Sequence, residues 1–316
     1  MRLRFCRVAV ATLLAGFLAV VASVTPAGAT DASALVARAI EKLGGAKQLS
    51  DIATLSISGR SKHWDPQETL EPDVGNRLGG ESRFTLSMDV AHDRARTDWV
   101  RFRIAPMKRT FIYSEVFADG VGYVLGEDNI VLSRQAKETN PPLHTMSVSR
   151  VIADRRELHR ISPRLLLDMR DHPDRLSGLP DETIDGKVLS VISYKADDAE
   201  WIVLFGDAGL PARIRTIDAD GVWGDSNYDM ILSDWREVGG VRFAFDQSFT
   251  LNGREVQHIQ VDDIVLNPVL GSDLFRIPAI VTATAAKQKA PEQVNYQWML
   301  RRANWGSFID SDQTRL

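Results

Sequence analysis

Apolar and polar positions change period several times along this chain of 316 residues, and each change marks an element. Val8 to Val21 is an apolar run, preceded by Arg2, Arg4 and Arg7 and followed by Ala27-Gly28-Ala29. A positive start, an apolar middle and a small-residue site are the layout of a secretory signal peptide, cleaved near Ala29. The run is shorter than the roughly 20 residues a spanning helix needs. From Asp31 the period becomes helical. Leu35, Val36, Ala39, Ile40 and Leu43 share one face, and Arg38, Glu41 and Lys42 the other. Asp31 caps this helix, and Gly44-Gly45 ends it because glycine accepts the left-handed cap.

After Gly45 the period falls to two. Leu55 and Ile57 alternate with Thr54, Ser56 and Ser58, and residues 65–80 have loop composition. Strands are predicted over 82–90, 94–104, 109–117 and 121–125, with Asp119-Gly120 as a hairpin turn. A helix is predicted over 147–160, with Val148, Val151, Ile152 and Leu158 as its apolar set. Ser162-Pro163 starts a second, short helix that buries Leu165, Leu166, Leu167 and Met169. From 183 onward the pattern is hairpins, turned at Asp185-Gly186, 207–211, Asp220-Gly221, Gly239-Gly240 and Asn252-Gly253. Strands spaced about ten residues apart and joined by tight turns mean an antiparallel sheet. The expected class is α+β, mainly β: a curved antiparallel half-barrel sheet covering a few helices, over residues 30–278. Residues 279–294 read as a linker and 295–316 as an amphipathic tail.

Chemistry adds little to this picture. The only cysteine, Cys6, lies inside the signal, so the mature chain has no disulfide, thiolate nucleophile or Cys-ligated metal. The formal net charge is −4, and cleavage removes three arginines and no acids, so no electrostatic footprint for nucleic acid exists. The histidines are not paired at metal-ligand spacing, and the nearest approach to a ligand cluster is Asp89, His92 and Asp93, read as chance polar residues. No G-x-S-x-G elbow occurs, and Gly120, Gly122 and Gly126 read as turn glycines. No catalytic residue, metal or cofactor is therefore expected. Residues 150–175 carry seven arginines interleaved with acids, read first as a solvated helix face and second as a contact for an anionic headgroup or a partner. The aromatic residues of the later strands read either as packed core or as the lining of an apolar cavity. Trp201, Phe205, Trp235, Phe243 and Phe245 are the candidate lining.

The order of parts and the stretches "GLPARI" (209–214), "SDWREVGGVRF" (233–243) and "LFRIP" (274–278) resemble the LolA/LolB-like periplasmic lipoprotein carriers. The chain is more similar still to the region that precedes the hydrolase domain in exported metallo-β-lactamase-fold proteins, where a tail like "YQWMLRRANWGSFIDSD" (296–312) leads into the hydrolase. The chain has no H-x-H-x-D-H motif, so that metal chemistry does not carry over. The resemblance implies an exported, non-enzymatic protein binding a lipid or a lipoprotein acyl chain, with transient contact to a membrane surface. The alternative it implies is an accessory module of a hydrolase system. That module would dock a periplasmic partner through Trp298, Arg301, Arg302 and Trp305. An enzyme in its own right, built on Asp89, His92 and Asp93, is the third reading.

Overall fold

Nearly every stretch of period-two alternation becomes a strand, and the strands join into one sheet. The computed structural model describes residues 31–65, 75–104, 108–128, 138, 141–220, 224–297, 299 and 300. The signal segment lies outside these. Helix α1 (Ala32–Leu43) starts where Asp31 accepts a hydrogen bond from the Ala34 amide at 3.1 Å. It ends at Gly44, whose φ of 128° and approach to the Gly240 carbonyl leave no room for a Cβ. A short α2 (Ala46–Ser50) follows.

Strands β1 (Thr54–Asp65), β2 (Arg77–Asp89), β3 (Arg94–Arg103), β4 (Arg109–Ala118), β5 (Val121–Gly126) and β6 (Leu143–Thr145) form a meander running out to one edge. Helices α3 (Val148–Ile161) and α4 (Arg164–Asp171) carry the chain to the opposite edge. There β7 (Leu176–Ile184), β8 (Lys187–Lys195), β9 (Glu200–Phe205), β10 (Pro211–Asp220), β11 (Gly224–Val238), β12 (Val241–Leu251) and β13 (Arg254–Leu266) run back inward. Strand β13 closes on β1, with Leu55 opposite Leu266. The result is one open, curved, antiparallel sheet of thirteen strands in the order β6-β5-β4-β3-β2-β1-β13-β12-β11-β10-β9-β8-β7.

The curvature follows from one helix. Arg150 of α3 pairs with Glu115 on β4, and Arg156 pairs with Asp218 on β10. Laid flat, the strands from β4 to β10 would span about 34 Å at ~4.8 Å per strand. Six helical residues rise only about 9 Å. The sheet must curl around α3 for both pairs to form.

Residues inside this curve make the core. Leu55 and Ile57, Phe84, Leu86 and Met88, and Ile214 and Met230 face α1, α2 and α4, whose Leu35, Val36, Ile40, Leu49, Leu165 and Leu166 are buried against them. Each such side chain contributes roughly 1.5–3 kcal/mol on leaving water. Among the described residues no helix is long and apolar enough to cross a membrane.

Several sequence expectations change. The loop expected over 65–80 is shorter, because β1 and β2 continue pairing out to Asp65 opposite Arg77. Gly80 sits inside a strand rather than a turn: a Cβ there would lie 2.5 Å from the Phe102 carbonyl and 2.9 Å from the buried His63 ring. Strands β6 and β7 carry no clear alternation because they are the sheet edges; β7 contains Pro180 and a bulge between Leu179 and Glu182. The stretch read as linker contains a helix, α5 (Ala279–Ala285). Its Val281 is buried with Val116 and Tyr123 on the face of the sheet away from α3. Lastly, α3 is not a solvated helix: Arg150, Arg156 and Arg160 are as buried as the aliphatic core. Helical spacing assigns arginines outward, but here Glu115 and Asp218 on the sheet draw in Arg150 and Arg156, and the Ile214 carbonyl and Thr216 draw in Arg160.

Candidate functional site

Packing between the sheet and its helices is incomplete in two adjoining places. The first cavity, about 130 Å³, lies between α1, α2, α4 and the sheet centre, where Leu49, Leu166, Met230, Leu232, Trp235 and Phe243 line it. The second, about 170 Å³, lies under α3, where Trp99, Phe117, Leu158, Tyr228, Phe249 and Leu300 line it. Phe84, Leu86, Ile161 and Ile259 belong to both walls, so the two are separated only by apolar side chains. Each is smaller than the roughly 300–1,000 Å³ of a typical ligand site. A ligand of any length must therefore displace part of the cover.

That cover is tied down by charge. Arg156 makes two parallel 2.8 Å hydrogen bonds to Asp218, and Gln297 donates to the same carboxylate at 2.6 Å. Burial opposes the Asp218 charge, but the bonds from Arg156 outweigh it and hold the carboxyl below its usual range. Arg160 donates to Glu157, to the Ile214 carbonyl and to Thr216, and lies over the rings of Trp201 and Tyr228. His159 joins α3 to α4 through Asp168 at 2.8 Å and to the β8–β9 turn through Asp198 at 3.4 Å. Burial would lower its pKa, but those two carboxylates push it up to about 9. The chain also returns on itself. Tyr296 stacks on Arg156 at 3.5 Å, Met299 is buried, and Leu300 reaches the second cavity.

A larger cleft, about 620 Å³, opens beside these ties, between the β2–β3 turn, α3, α4 and the β8–β9 turn. Its walls are charged and largely pair with each other: Arg155 with Asp93 at 2.8 Å, Arg175 with Asp197 at 3.0 Å. His92 pairs with Asp89 at 2.9 Å at its rim. Met88, Ile152 and Leu158 also line this cleft, but the two smaller cavities are more strongly apolar and lie beneath the helices, so they are the candidate site.

Of the five aromatic residues singled out in the sequence, Trp235 and Phe243 line the first cavity. Trp201 and Phe205 are packed in the core and line neither cavity. Phe245 is buried beneath the Arg236 guanidinium, 4.5 Å away. Trp298, Arg301, Arg302 and Trp305 lie outside the described residues. Sequence reading missed Phe84, Trp99 and Tyr228 as lining residues, and Arg101 beside them. A signal for them existed: Phe84 and Leu86 alternate along β2, and β3 places Trp99 directly opposite Phe84.

No family model matches this chain, and no curated protein matches it. Three solved structures are similar to it, each covering 78% of this chain and 97% of the other. One is a domain described as an outer membrane lipoprotein-sorting protein, from Vibrio parahaemolyticus, at 10% identity and a TM-score of 0.43. The second is a LolA superfamily protein from Nitrosomonas europaea, at 12% identity and a TM-score of 0.43. The third is a DUF1329 family protein from Desulfovibrio piger, at 10% identity and a TM-score of 0.38.

Proposed function

We propose that this protein is a non-catalytic carrier, exported after cleavage near Ala29, that takes up a lipid or lipidated chain between its curved sheet and covering helices. The observation that carries this reading is the pair of adjoining apolar cavities sharing Phe84, Leu86, Ile161 and Ile259. A chain entering them gains about 0.8 kcal/mol for each methylene buried. The walls are mainly leucine, isoleucine, methionine and aromatic side chains, and part of the cover must move aside for a chain to enter. No cofactor is required for such uptake.

Native mass spectrometry of the mature protein from its own compartment, with lipid extraction, tests this. A co-purifying lipid or acylated peptide near unit occupancy is the expected result. Ala244, which lines the first cavity and is itself buried, gives the matching variant. Ala244→Leu should lower occupancy while costing about 1–3 kcal/mol of stability from overpacking. An apo mass that persists when lipid is added overturns the carrier reading.

A further inference from the structure

Strand β3 is inverted relative to ordinary amphipathic strands. Val100 and Phe102 are exposed, whereas Arg101 and Arg103 between and after them are buried. Arg101 is only 3% exposed, lies over the rings of Trp99 at 4.7 Å and Tyr113 at 5.6 Å, and lines the second cavity. Its Nε and Nη1 are buried with no hydrogen-bond partner, and among the described residues it has no ion pair. The acids in the same wall are already engaged. Glu115 accepts from Trp99 Nε1 at 2.7 Å and pairs with Arg150, Asp154 pairs with the same Arg150 at 3.7 Å, and Glu157 pairs with Arg160 at 3.0 Å. His63 nearby supplies no negative charge.

A buried cation without a counter-charge is costly, and ring faces offset only part of that cost. A carboxylate or phosphate oxygen that enters the cavity and reaches either of these N–H groups would supply the missing acceptor and form a charge-assisted hydrogen bond. We infer that the second cavity holds an anion-binding subsite at Arg101, so that its ligand is an amphiphile with a carboxylate or phosphate head and an apolar chain. The head would sit at Arg101 and the chain would run past Phe84, Leu86 and Ile259 toward the first cavity. This rests on the carrier reading and adds to it the chemical class of the ligand.

The test is displacement of a neutral reporter, N-phenylnaphthylamine, from the full mature chain by dodecanoate, dodecyl phosphate and dodecanol. At least one of the two anions should displace it at a concentration about tenfold or more below that of dodecanol. The stronger anion tells a fatty-acid carboxylate from a phosphate-bearing lipid. Arg101→Met should erase the preference and leave dodecanol unchanged, while Arg101→Lys should keep its direction. If Arg101→Met does not fold, the wild-type ratio and Arg101→Lys decide. Equal displacement by dodecanol overturns the subsite but leaves the cavity reading standing. Failure of all three to displace bound reporter overturns both.

Discussion

His63 and His159 depart from the ordinary histidine range in opposite directions, and the two signs combine. His63 is buried, and burial together with the charges of Arg101 and Arg103 pushes it down to about 3. It folds neutral, so the unfolded chain binds the extra proton first, and stability falls as pH drops below about 6.5. His159 is pushed up to about 9, so its contribution is complete below about 6.5 and fades as pH rises through 9. Together they place a stability maximum near pH 6.5. Thermal unfolding across pH 4 to 10 should show both limbs. His159→Gln should flatten the alkaline limb, at a cost on the order of 1 kcal/mol at neutral pH, and His63→Gln should flatten the acid one. An unchanged alkaline limb in His159→Gln would remove this explanation. Asp218 is a different kind of residue, because its partner is fully buried. Asp218→Ala should cost about 3–5 kcal/mol by stranding Arg156, and the double replacement Arg156→Met with Asp218→Val should recover most of that. Chemical denaturation of the three variants checks the cycle.

At the scale of elements, legibility depended on how local the cause was. Two-residue turns are local, and Asp119-Gly120, Asp185-Gly186 and Asn252-Gly253 all adopt the positive φ pairs that such hairpins require. Strand β8 falls on the residues its alternation marks, and Asp31 caps α1 as its position implies. Long-range causes were not legible. Arg156 of α3 turns inward because Asp218 waits 62 residues later on β10, and helical spacing carries no trace of that. Gly79 and Gly80 read as loop residues because composition cannot reveal the His63 ring against them. The lining was readable in part: Trp235 and Phe243 reach a cavity, while Trp201 lies under Arg160 for a reason set by α3. Glycine chemistry gives this scale its prediction. Gly80→Ala should destabilise by about 1–3 kcal/mol through forced displacement of His63 and the β3 backbone. Gly75→Ala, with nothing within 4 Å, should stay within about 0.5 kcal/mol of wild type. Equal melting temperatures for the two variants would count against close packing at this end of β2.

For the whole molecule, α3 acts as a tie across the inside of the curve, and Tyr296, Gln297 and Leu300 return to its neighbourhood. Gln297 and Tyr296 hold the same Arg156–Asp218 pair that anchors the helix. Under the proposed carrier function, uptake and closure are therefore coupled at one point. Truncation after Val294 should open the second cavity, raise the amplitude and rate of N-phenylnaphthylamine binding several-fold, and lower the melting temperature by a few degrees. Fluorescence stopped-flow measures the first and calorimetry the second. Binding no faster than in the full chain would mean that entry lies elsewhere.

The place where the two meanders meet also governs time. Leu55 pairs with Leu266, and this junction lies at the sheet centre rather than at an edge. Each meander can form from neighbouring strands, but their union waits until residue 266 has been delivered. Before that moment β1 is an unpaired edge beside an apolar surface. Contacts of such sequence separation are slow to form. The interval before β13 arrives is thus when the chain is most exposed to wrong partners, and assistance during folding would act on β1.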